Sequence, residues 1–329
     1  MRIQTLAFLA LTTALATSTA CRPEDNEADQ YRKGIPNKQT VEVQVPGTTG
    51  QALSVADQGK TSEYYKLTRT VSRDVNSGVY FVLTLVREVV KYPPTNVTEN
   101  TAVWGPFSEA LDPIAWKVTV NRTATNEYAY KFEGQAKSAP NSAFETVLSG
   151  VHRPALGSDN APLEGFGEGT FLLDFDARNR LPLPDKDVGT AAFSYSRPSL
   201  NTPAKITAKF TQVKDDDRPG HKVDVDYRYQ RNVAGSGDLE FSFKPDAAAI
   251  LDGPTQFDVM SRWTAEGSGR ADVTVSGGTL DKGTKATANE CWSTAFTSVF
   301  VQTSWDPALT YGTENMCAFQ TATYATLML

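Results

Sequence analysis

Apolar residues set the first boundary in this chain. Leu67, Val71, Val75, Val79, Val82, Val86 and Val89 recur every three or four positions, which is one stripe at helical period. The spacing predicts a helical segment from Glu63 to Lys91, stopped by Pro93-Pro94. Gly78 predicts a break or kink between two shorter helices. Beyond residue 110 the period changes to two. Ile114-Trp116-Val118-Val120, Tyr128-Tyr130-Phe132, Phe171-Leu173-Phe175, Ile206-Ala208-Phe210, Val223-Val225-Tyr227-Tyr229, Leu239-Phe241-Phe243, Phe257-Val259 and Val273-Val275 each place apolar side chains on one face.

The links between these runs are short and rich in turn formers: Asp215-Asp216-Asp217-Arg218-Pro219-Gly220, Ala234-Gly235-Ser236-Gly237 and Glu266-Gly267-Ser268-Gly269. Such links suit antiparallel hairpins and exclude the long crossovers of a parallel sheet. The expected fold class is α+β. A large, curved antiparallel meander has one dry face, and the N-terminal helical segment packs on that apolar face.

The N-terminus reads differently. Arg2 precedes an apolar run from Leu6 to Ala16, 11 residues long and too short to span a bilayer core of about 30 Å. Small residues follow up to Cys21. Two readings share the bond before Cys21: ordinary signal-peptide cleavage, or cleavage with lipidation of Cys21. Ser18 stands where a lipobox usually has Leu. The three cysteines, Cys21, Cys291 and Cys317, favour lipidation, because it leaves two to pair in an oxidising compartment. Buried free thiols are the competing reading for Cys291 and Cys317. The expected organisation is a lipoprotein signal peptide over 1–20, a flexible tether over 21–38 and a single α+β domain over 39–329. The stretch from Arg22 to Lys38 is charged and nearly free of apolar residues, a composition that resists ordering. Arg22 after the cysteine, where Asp would favour the inner membrane, points by analogy to an outer-membrane anchor.

Charge and chemistry narrow the function classes. A net charge of −6 argues against nucleic acid as a partner. His152 and His221 lack the closely spaced company of a zinc site, so no metal is expected. Asp215, Asp216, Asp217, Asp224 and Asp226 read as a solvated hairpin, short of a calcium loop. Asp174 and Asp176 read as strand residues that pair with Arg178 and Arg180 on the surface. Gly165-Phe166-Gly167-Glu168-Gly169 precedes a strand and lacks the helix N-terminus of a phosphate loop. No catalytic residue and no cofactor is expected.

Several features together resemble a group of bacterial outer-membrane lipoproteins of unknown function. They are Cys21, the Tyr64-to-Val90 block ending in Pro93-Pro94-Thr95, and Val103-Trp104-Gly105-Pro106. Gly167-x-Gly169 leading into Leu173-Asp174-Phe175-Asp176, and Cys291-Trp292 with Cys317-Ala318-Phe319, complete the set. The resemblance implies a lipoprotein and contributes no activity, ligand or catalytic residue. The expected function is a non-enzymatic binding or scaffold role in the bacterial envelope, with the membrane as partner through Cys21. A carrier of a hydrophobic ligand between sheet and helix is the sharper alternative. A carboxylate-based hydrolase of envelope polymers is the third.

Overall fold

Alternating runs from Thr101 to Thr303 each fold back on the run before. The computed structural model describes residues 23–47, 60–184, 187–215, 220–245 and 255–325. Its strands are β1 (Asn96–Val97), β2 (Thr101–Phe107), β3 (Ile114–Ala124), β4 (Glu127–Ala136), β5 (Glu145–Leu156), β6 (Pro162–Asp174), β7 (Thr190–Arg197) and β8 (Ala204–Lys214). They continue as β9 (Lys222–Arg231), β10 (Gly237–Pro245), β11 (Thr255–Trp263), β12 (Gly269–Gly277), β13 (Lys285–Trp292), β14 (Ser298–Thr303) and β15 (Tyr311–Gly312). Spatial order follows chain order throughout, and every neighbouring pair is antiparallel. The helices are α1 (Pro23–Lys33), α2 (Lys38–Val41), α3 (Glu63–Val90) and α4 (Phe175–Asn179).

Register aligns the inward side chains into rows that cross the sheet. One row runs Tyr128, His152, Gly169, Tyr195, Ile206, Tyr229, Leu239, Ser261, Ala271, Glu290. The next runs Tyr130, Gly150, Phe171, Phe193, Ala208, Tyr227, Phe241, Val259, Val273, Ala288. The third, beginning Phe132, Leu148, Leu173 and continuing through Phe210, Phe243 and Phe257, is apolar. The first row is studded with polar atoms, and these find partners on the segments above it.

Glu63–Val90 is one continuous helix, so Gly78 causes no break. The cost of a mid-helix glycine, about 1 kcal/mol, is small beside the burial of Val79, Val82, Leu83, Val86 and Val90. The Ser62 side chain caps the N-terminus by accepting from Tyr65 N at 3.1 Å, and the Glu290 carboxylate of β13 accepts from Tyr64 N at 2.8 Å. Thr68 and Ser261 share a buried 2.6 Å hydrogen bond. At the far end Arg32 Nε donates to Val90 O at 2.8 Å and Trp104 Nε1 donates to Tyr92 O at 3.0 Å.

The N-terminal region corrects the expectation of a tether up to residue 38. Pro23–Lys33 is helical. Its few apolar residues suffice to dock it: Ala28 and Tyr31 are buried, and Tyr31 donates to Glu99 O at 2.7 Å. From Ile35 to Gly47 the chain then runs back across the first row as a strap. Tyr229 OH bonds both the N–H and the carbonyl of Gln44, and Asn76 of α3 clamps both backbone groups of Val43. The signal peptide and Cys21 lie outside the described residues.

The opposite face of the sheet is not uniformly wet. Arg270, Asp272, Asn289 and Cys291 are fully buried there, under the C-terminal segment. Arg270 donates to Asp272 at 2.8 Å, to Glu314 at 2.8 Å and to the Phe319 carbonyl at 2.9 Å. Cys291 and Cys317 form a disulfide that ties this segment to β13.

Glu290→Ala strips the Tyr64 N–H of its acceptor at the start of α3. The expected loss is about 1–3 kcal/mol by urea denaturation. A change within about 0.5 kcal/mol would show that α3 is not held at that end.

Candidate functional site

The apolar third row opens into a pocket at the end of the sheet nearest β3. The alternation of β6 stops at Leu173, where Asp174 becomes the N-cap of α4 and accepts from Ala177 N at 2.7 Å. That turn throws Phe175 off the strand and towards α3. Val82 and Leu85 of α3, Trp116 of β3, Phe132 of β4, Val147 of β5, Leu173 of β6 and Phe175 enclose a cavity of about 240 Å³. Trp116 stacks on Phe132 with ring centroids 4.6 Å apart, and its indole N–H donates to Asp112 at 3.2 Å, which fixes the ring. Polar groups stand at the rim and are engaged. Arg178 lies 5.9 Å over the Trp116 ring and donates to Pro182 O at 3.1 Å. The row continues away from the pocket through half-buried Phe210, Phe243 and Phe257, the last two stacked at 4.9 Å.

Asp174 and Asp176 do not share one strand face as the alternation predicts. Asp174 caps α4, and Asp176 accepts from Gly189 N at 2.9 Å, so each carboxylate holds the turn. Of their expected arginine partners, Arg180 makes its ion pair with Glu145 at 2.8 Å and interacts with Asp174 and Asp176 only at longer range. The signal for this turn was present in the sequence, since an Asp followed by a second acidic residue two positions on marks a helix start. Asp224 accepts from Gln212 N at 2.8 Å, while Asp216 and Asp217 lie outside the described residues. Among the described residues no three His, Cys, Asp or Glu side chains converge as metal ligands would.

His152 is a buried residue of the first row. Its Nδ1 and the Tyr195 hydroxyl lie 2.8 Å apart. The glycine-rich run of β6 makes room for this pair. A Cβ on Gly167, whose φ is +150°, would stand 2.5 Å from His152 Cε1, and one on Gly169 would stand 2.7 Å from Tyr195 Oη. Burial pushes the His152 pKa down to about 4, outweighing a hydrogen bond to the Glu168 backbone that acts the other way. The imidazole is therefore neutral at pH 7. Burial also raises the Tyr130 and Tyr195 hydroxyls well above their usual range.

No family model, no curated protein and no solved structure matches this chain.

The unfolded chain takes up the His152 proton near pH 6.5, and the folded chain only near pH 4. Stability from this group is therefore complete above pH 6.5 and is lost as the pH falls from there towards 4, by up to about 3 kcal/mol. His152→Gln should flatten that part of the denaturation-versus-pH curve. Parallel curves for the two proteins would contradict the assignment.

Proposed function

We propose that this chain is a lipoprotein of the bacterial envelope, anchored in the outer membrane through lipid on Cys21. It is a non-enzymatic binding protein whose sheet bends around α3 and shelters an apolar ligand between them. The pocket lined by Val82, Leu85, Trp116, Phe132, Val147, Leu173 and Phe175 carries this reading. Its lining side chains are mostly aliphatic and aromatic, and its rim charges are already bonded.

The geometry of α3 supports the bending. From Tyr64 to Tyr92 a helical path measures about 42 Å. The strands those ends reach, β13 and β2, are eleven steps apart along the sheet, a path of about 53 Å. The helix backbone comes near β11 and β12 at one end and β2 and β3 at the other, as a bar does across an arc. Size limits the ligand. The cavity of about 240 Å³ exceeds the roughly 150 Å³ that admits benzene. It falls below the roughly 300–1,000 Å³ of pockets that engulf a drug-sized molecule. It suits one chain end or ring.

A scaffold role has its own observation. Trp305, Leu309, Tyr311 and Met316 are exposed on the C-terminal segment, where an envelope protein would find apolar contacts.

Val82→Phe tests the pocket. Filling the cavity should leave stability within about 0.5 kcal/mol and abolish binding of palmitate, followed by calorimetry. A loss of about 1–3 kcal/mol with palmitate binding unchanged would mean that Val82 sits in a filled core. Cys21→Ser tests the anchor: the variant should move to the soluble envelope fraction, and its retention in the membrane pellet would contradict lipidation.

A further inference from the structure

A second cavity lies between α3 and the strap. It measures about 570 Å³, and its lining includes Lys66, Arg69, Arg73 and Glu42 beside Val43 and Tyr80. The three cations occupy one exposed helix face at successive turns. Glu42 is already engaged: Gln44 Nε2 donates to it at 3.0 Å and Lys38 Nζ lies 3.9 Å away. The cations have partners too, and those of Lys66 and Arg73 are exposed. Lys66 pairs with Glu63 at 2.8 Å and Arg73 with Asp74 at 3.2 Å, both at the surface, where such pairs hold weakly and exchange readily. Arg69 lies 5.8 Å from the Tyr65 ring centroid and hydrogen-bonds the Tyr65 side chain, with no ion pair among the described residues. Three cations against the one carboxylate of Glu42 give the trough a positively charged lining on a molecule with a net charge of −6.

Ser77 lines both this trough and the apolar pocket. From Ser77 to Arg73 is about 6 Å along the helix axis, and to Arg69 about 12 Å. The two cavities therefore adjoin, one apolar and one cationic. Resting on the pocket reading above, we propose that the ligand is an anionic single-chain amphiphile. Its apolar end enters the pocket beside Val82, and its carboxylate or phosphate head lies in the trough against Arg73 and Arg69. A charge-assisted pair in a partly enclosed trough gives the head selectivity that the small pocket lacks.

Three probes of equal chain length separate the contributions: palmitate, hexadecyl phosphate and neutral hexadecanol, titrated into the full-length protein. Lys66→Gln/Arg69→Gln/Arg73→Gln should weaken both anions by about tenfold or more and leave hexadecanol within about twofold. Added salt should weaken only the anions. The tighter of the two anions identifies the head. Arg73→Gln alone changes one exposed side chain and should show the same selectivity at smaller size, which guards against a folding defect in the triple variant. Equal weakening of hexadecanol, or no weakening of either anion, overturns the proposal. If Val82→Phe still abolishes binding in that case, the pocket reading stands without it. If wild-type protein binds none of the three, the pocket reading itself fails.

Discussion

The inward face of this sheet depends on α3 being held across the strands at both ends by groups of opposite charge. The Glu290 carboxylate receives the N–H of Tyr64 at the helix start, and the Arg32 guanidinium donates to the carbonyls of Val90 and Tyr92 at its end. Each complements the helix dipole, and each contributes about 0.3–2 kcal/mol. The buried stripe of Val79, Val82, Leu83, Val86 and Val90 contributes on the order of 10 kcal/mol. The stripe therefore supplies most of the adhesion, and the two ends decide where along the sheet the helix lies. A helix fixed in that way cannot slide to fill the space beside Phe132 and Leu173.

Polarity across the inward face is graded, and the gradient explains where the free space falls. The first row carries His152, Tyr195, Tyr229, Ser261 and Glu290, and Tyr229, Ser261 and Glu290 are tied to the strap or α3 by hydrogen bonds. Such bonds are directional and fix the strap and α3 over that row. The third row holds only apolar groups beyond Leu173, which pack without directional constraint and stay half-buried at Phe210, Phe243 and Phe257. Beneath the sheet, Arg270, bonded to Glu314 and to the Phe319 carbonyl, and the Cys291–Cys317 disulfide fasten the C-terminal segment to β12 and β13.

Much of this was legible in the sequence where one physical signal dominated. Strict alternation marks most strands, and the valine stripe marks α3 to within a residue of its observed ends. β5 stayed hidden because its inward positions include Gly150 and His152, and Pro154 and two register shifts break its pattern. β13 stayed hidden because Glu290 faces inward and Asn289 is buried on the other face, so hydrophobicity does not alternate there. The charged run before Lys38 reads as unstructured, yet buried Ala28 and Tyr31, with hydrogen bonds from Tyr31 and Arg32, dock α1. The pocket was illegible for a different reason. Trp116, Phe132 and Phe175 look like core residues, and only the turn at Asp174 and the fixed line of α3 leave a gap between them. The trough needs the strap, whose course no local pattern encodes.

The proposed ligand would place its apolar chain between α3 and β3–β6. Photocrosslinking with a palmitate that carries a diazirine near its methyl end, followed by peptide mapping, tests it most directly. Adducts are expected on Val82, Leu85, Phe132 or Leu173, competed by unlabelled palmitate. Adducts confined to the exposed Trp305, Leu309 and Met316 would contradict it and place the apolar contact on the C-terminal segment instead.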